Sequence, residues 1–116
     1  MTDTTTRAMP VDVATIRDTT STLLGPDPQL DDLDTLVLAL RGHIQLLIPE
    51  VEALAAAQAK DTPERFCALA CIGEAQRKLR LGDGQTPPTR IAVAQKLARV
   101  VNALCDHYEK LQRPAC

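Results

Sequence analysis

Four leucines recur at seven-residue intervals: Leu33, Leu40, Leu47 and Leu54. Val37, Ile44 and Val51 stand three residues before the last three of them. A β-branched residue at the first apolar heptad position and Leu at the second make a seam along which helices pack side by side. No other feature constrains the fold as much. A second ladder runs through Ala94, Leu97, Val101, Leu104, Tyr108 and Leu111, with spacings of three and four residues in alternation. Both ladders concern packing and neither carries chemistry.

Composition agrees with helices. The chain has 116 residues, the length of one domain, and only Phe66 and Tyr108 are aromatic. A core must come from 16 Leu, 16 Ala, 7 Val and 5 Ile, a set that favours helix over strand. Residues 1–9 are polar and Thr-rich and are expected to be a disordered tail. Residues 10–112 are expected to form one helical domain, and residues 113–116 a C-terminal tail.

Helix 1 is expected from Pro10 or Asp12 to Leu24, with Val13, Ile16 and Leu23 inward. Its threonines at 15, 19, 20 and 22 weaken it. Gly25-Pro26 should end it by left-handed capping. Helix 2 is expected to open at Asp27 as N-cap with Pro28 in the first turn, and to run to about Ala59. Pro49 removes the bond to the Gln45 carbonyl, so a kink or a break into two helices is expected near residues 45–49. Helix 3 is expected from Asp61 or Thr62 to about Leu81, with Ala68, Ile72, Ala75 and Leu79 inward. Helix 4 is expected from about Pro88 to Gln112. The fold class that follows is all-α, a four-helix bundle with up-down connectivity.

The leucine ladder does not make a DNA-binding zipper. That requires a basic segment ahead of the ladder, and here the segment is Asp27-Pro28-Gln29-Leu30-Asp31-Asp32. The loop of about eight residues between helices 3 and 4 is also too long for a helix-turn-helix. A formal net charge of −2 argues against phosphate binding by the protein as a whole. The charge is uneven, however. Residues 1–58 hold nine acids and three bases, and residues 59–116 hold six acids and ten bases. The simpler reading packs the acidic half on the basic half. The sharper reading is an anion-binding or nucleic-acid-binding strip at Arg77, Lys78, Arg80, Arg90, Lys96 and Arg99.

Cys67 and Cys71 share a helix face, with Cys105 and His107 on another helix. Cys105 and His107 point about 200° apart and cannot reach one ion together. No paired CxxC knuckle is present, so packing explains these cysteines as well as metal does, and no metal or cofactor is expected. Cys116 is read as an exposed thiol on the tail. A Cys paired with His107 or His43 as a nucleophile lacks any Gly-rich elbow or oxyanion turn, and an enzyme is not the favoured reading. Gly82-Asp83-Gly84 is too short for a phosphate loop. Asp106, His107 and Glu109 look like a solvated face. Met1–Pro10 has no apolar stretch of a secretory signal, and no segment approaches the roughly 18 apolar residues of a membrane span. A cytoplasmic protein with reduced cysteines is expected.

The informative surface lies on the back of helix 2. On a helical wheel Leu38, Gly42, Leu46, Ala53, Ala56 and Ala57 oppose the ladder, and a helix apolar on two faces is buried on both. Either helix 2 runs through the middle of the bundle, or its second face meets a partner protein or a second copy. A small apolar ligand held beside Pro49 is the main alternative function.

Three stretches carry a family resemblance: Leu47-Ile48-Pro49-Glu50-Val51-Glu52-Ala53-Leu54, Cys67-Ala68-Leu69-Ala70-Cys71-Ile72-Gly73-Glu74-Ala75, and Leu97 to Glu109. Together, over roughly residues 30–112, the chain resembles a domain-of-unknown-function family of small actinobacterial helical proteins, often labelled natural product biosynthesis proteins. The resemblance implies a setting near secondary metabolism. It supplies no catalytic residues.

Overall fold

The computed structural model describes residues 11–25 and 32–112. They form four helices: α1 Val13–Leu24, α2 Leu33–Ala56, α3 Pro63–Leu79 and α4 Pro87–Gln112. Among the described residues there is no strand, and the fold is an all-α bundle.

The helix starts follow local chemistry. Asp12 caps α1, its carboxylate accepting from the Thr15 backbone N–H at 3.1 Å and the Thr15 hydroxyl at 2.8 Å. These bonds hold the Asp12 carboxyl below its ordinary range. Thr62 caps α3, its hydroxyl accepting from the Arg65 N–H at 3.3 Å, with Pro63 in the first turn. At α4, the Thr86 N–H donates to the Thr89 hydroxyl at 3.0 Å and the Thr89 N–H donates back to the Thr86 hydroxyl at 3.4 Å. That reciprocal box starts α4 at Pro87. Just ahead of it Gly84 sits at φ 88°, and a Cβ there would meet the Arg90 nitrogen and the Thr89 carbonyl carbon at 3.0 Å. Only glycine fits that turn.

Four expectations about helix ends are corrected. Gly25 does not cap α1 in the left-handed region; it is extended, at φ −78° and ψ 176°. The following residue is Pro26, whose ring pushes the preceding residue into extended backbone. Helix α2 starts at Leu33, after Asp32 in the left-handed region at φ 64°. The Asp27 cap and Pro28 lie outside the described residues, as do the tails at 1–9 and 113–116. Helix α2 also ends at Ala56 rather than about Ala59, and α3 at Leu79 rather than about Leu81.

No break occurs at Pro49. One helix continues through it from Leu33 to Ala56. Pro49 and Gln45 are both exposed, so the carbonyl that loses its helical partner faces water, which can satisfy it. The opposite side of the helix meanwhile packs Ile44, Leu47 and Val51 with no solvent exposure. That burial holds the segment helical on both sides of the proline.

Both ladders form the core. Leu33, Val37, Leu40, Ile44, Leu47 and Val51 are buried on α2, and Leu54 is half-buried. Ala94, Leu97, Val101, Leu104, Tyr108 and Leu111 are buried on α4. The α2–α4 pairing is the most extensive in the fold, α4 also packs on α1 and α3, and α1 does not touch α3. The central helix is therefore α4, with α1 and α3 on either side of the α2–α4 pair.

Candidate interaction surfaces

Helix α2 presents a ladder to α4 and a second apolar row to solvent. Leu38 is 71% exposed and Leu46 is 49% exposed. Gly42 stands midway between them, and a Cβ there would meet nothing within 4 Å. Ala53, Ala56 and Ala57 are exposed as well. At about 100° per residue, these six positions fall on the side of α2 opposite Ile44 and Leu47. Helix 2 thus does not find its second cover inside the described fold. Among those residues the exposed large hydrophobics also include Phe66 and Leu69 at the start of α3. All of these lie on the α2–α3 hairpin, whereas α1 and α4 show none.

The margins of the α2 row are acidic. Glu50 flanks it on one side and Glu52 on the other, both exposed, and neither enters an ion pair among the described residues. Arg41 does not offset them, because it is turned inward. Its guanidinium donates to the Leu79 carbonyl at 3.0 Å, the Leu81 carbonyl at 2.9 Å and the Asp83 carboxylate at 2.8 Å. Arg41 therefore closes the C-terminal end of α3, where carbonyls lack helical partners. Nothing local in the sequence predicts this role, because it depends on α3 ending beside Arg41.

The predicted basic strip is partly consumed. Arg77, at 2.6 Å, and Lys78 both pair with Glu74 on their own helix and hold its carboxyl down to about 2. Arg90 pairs with Asp34. Arg80, Lys96 and Arg99 are exposed. The charge halves do not simply pack on one another. Of the pairs between elements, Arg90–Asp34 joins a basic second half to an acidic first half. Arg17 with Asp106 at 2.7 Å and Glu109 at 2.8 Å, and Arg41 with Asp83, run the other way. Asp106 and Glu109 are thus the anchor of α1 as well as an exposed face.

Lys78 nonetheless meets Lys96 and Arg99. With Cys71, Glu74, Val100 and Ala103 they line a groove of about 270 Å³ between α3 and α4. A second groove of about 320 Å³ is lined by Asp32, Leu33, Asp34, Pro87 and Arg90. Neither groove is lined by residues 45–53, where a ligand beside Pro49 was expected.

The cysteines do not converge. Cys67 is exposed, Cys71 half-buried and Cys105 buried, all as free thiols. Burial, assisted by the charges of Asp106 and Glu74, pushes the Cys71 thiol up to about 11; burial likewise raises Cys105 to about 11. Both are protonated at neutral pH and are poor nucleophiles. His43 lies 3.4 Å from the Thr19 hydroxyl, and burial lowers its pKa, as it does that of His107. Among the described residues no group of three or more His, Cys, Asp and Glu is placed to hold a metal, and no helix is long and apolar enough to cross a membrane.

Two threonines of α1, Thr19 and Thr20, reach side chains of other helices. Buried Thr20 donates to the Arg17 carbonyl at 2.8 Å and lies 2.9 Å from the Asn102 side-chain amide of α4. Gln95 of α4 donates to the Leu23 carbonyl at 3.2 Å, which caps α1 from a neighbouring helix.

No curated protein and no solved structure matches the chain. A family model does, over residues 14–113, so the match takes in α1, which lay outside the resemblance seen in the sequence. With almost the whole chain covered, the protein belongs to the family of unknown function DUF6415.

Proposed function

We propose that this protein acts through protein contacts, as a helical accessory protein, with the outer face of α2 as its docking surface. The observation that carries this reading is the exposed row Leu38–Gly42–Leu46 on a helix whose opposite side is fully packed. Single exposed leucines are ordinary on a protein surface, but two of them flanking an open glycine at successive helical turns form a self-consistent seat. Gly42 lets a second backbone approach closely, and the leucines bracket it.

The margins point to the partner. Glu50 and Glu52 favour an apolar helix bordered by Lys or Arg. They disfavour a second copy of this chain. An antiparallel pairing about Gly42 keeps each margin on its own side, so it would bring Glu50 beside Asp32 and Glu52 beside Asp34, and Arg90 offsets only Asp34. The family resemblance extends the proposal to a cytoplasmic partner in actinobacterial natural product biosynthesis.

The test uses two synthetic amphipathic helices with the same leucine face, one with Lys and one with Glu at its margins. The Lys peptide should bind the intact protein, the Glu peptide should not, and Leu38→Glu with Leu46→Glu should abolish binding. Light scattering should show a monomer. A dimer dispersed by Leu46→Glu would assign the face to a second copy instead, and equal binding of both peptides would remove the electrostatic argument. Nucleic-acid binding has less support: Arg77, Lys78 and Arg90 are engaged by carboxylates, and no aromatic side chain accompanies Lys96 and Arg99 for base stacking.

A further inference from the structure

The groove between α3 and α4 joins an apolar floor to a charged rim. Its floor is apolar. Val100 is 7% exposed, Ala103 is half-buried, and Cys71 is a half-buried thiol that stays protonated, so it adds no charge. Its rim is cationic. Lys78 comes from α3, and Lys96 and Arg99 from α4. The acid in the lining, Glu74, is already shared between Lys78 and Arg77. Among the described residues Lys96 and Arg99 enter no ion pair.

Two cations three residues apart on one helix repel each other unless an anion sits between them. Helical spacing puts Lys96, Arg99, Val100 and Ala103 along one side of α4, so the charges border the apolar floor directly. We propose that this groove binds a small amphipathic organic carboxylate, its head between Lys96 and Arg99 and its apolar body over Val100, Ala103 and Cys71. The volume of about 270 Å³ suits a medium-chain or monocyclic acid, near the small end of ligand sites. A bare inorganic anion would leave the floor unused, and a neutral apolar molecule would leave the cations unpaired. Arg99 offers two parallel N–H donors that match a carboxylate, and Lys96 adds a movable point charge. The site is on a different helix pair from the docking row of α2, so it stands or falls separately from that reading.

The experiment is an amide-resolved NMR titration of the full chain with octanoate, 1-octanol, acetate and inorganic phosphate. Octanoate should move the resonances of Cys71, Val100 and Ala103 and bind at least tenfold more tightly than each of the other three. Lys96→Gln with Arg99→Gln, both at exposed positions, should weaken octanoate at least tenfold while leaving the melting temperature unchanged. Ala103→Leu, which fills the floor, should weaken octanoate and 1-octanol alike. Equal binding of acetate or phosphate would overturn the proposal in favour of a plain anion site. Equal binding of 1-octanol, no binding at millimolar octanoate, or shifts confined to α2 would overturn it outright.

Discussion

The two faces of α2 are both apolar, each carrying leucines, and meet opposite fates. Leu40, Ile44 and Leu47 have no solvent exposure, while Leu38 and Leu46, one or two residues away in sequence, are 71% and 49% exposed. The difference teaches that apolar character sets how much surface a helix must hide, not where the cover comes from. On the inner face α4 supplies it with a matching ladder. On the outer face, among the described residues, no such cover is supplied and acids stand at the margins.

The comparison is broken most violently from the inside. Leu47→Ala should cost about 2–5 kcal/mol in urea unfolding, because the site is enclosed and cannot collapse fully. Leu46→Ala, its immediate neighbour, should stay within about 0.5 kcal/mol. Similar losses at both would mean that the outer face is covered in solution. Arg41→Ala comes next. It strips the carbonyls of Leu79, the last residue of α3, and of Leu81 just beyond it, of a charged donor whose side chain is only 20% exposed, and about 1–3 kcal/mol should be lost. Gly42→Ala sharpens the contrast with the opposite sign. A Cβ there meets nothing, so the helix should gain about 0.5–1 kcal/mol. The same substitution should weaken the Lys-margined peptide, separating stability from docking.

The smallest effect concerns pH. Burial lowers the pKa of His43 and of His107, where Lys110 adds to it. At pH values above the ordinary 6.5 neither the folded nor the unfolded state carries these protons, and the histidines leave stability unchanged. As the pH falls below 6.5 the unfolded chain takes them up first, so stability declines until the folded pKa values are passed. Thermal melts between pH 7.5 and 5 should show this decline, and His43→Gln with His107→Gln should flatten it.

Much of this was legible from residue spacing. The ladders on α2 and α4 name the core, and Asp12 and Thr62 mark two helix starts, because periodicity and capping are local. Pro49 was half legible for the same reason. Its local rule allows a kink or a break, and the packing of the opposite side, which leaves the freed carbonyl facing water, excludes the break. The outer row of α2 was also visible on a wheel, but not that it stays open. The α3–α4 groove was half visible: Lys78, Lys96 and Arg99 stood in the basic strip, yet three of that strip's six members are held by Glu74 or Asp34. Arg41 and the Thr20–Asn102 contact were not legible at all, since their partners lie 38 or more residues away.

The sequence by itself determined four helices, their apolar faces and the excess of apolar surface on α2, because these follow from period, capping and composition within each segment. Only the tertiary structure decided that α4 is the central helix, that α2 continues through Pro49, that Arg41 closes α3 and that the groove joins α3 to α4. Each of those depends on which element lies against which, and that is fixed by burial summed over the whole chain rather than by any one stretch of it.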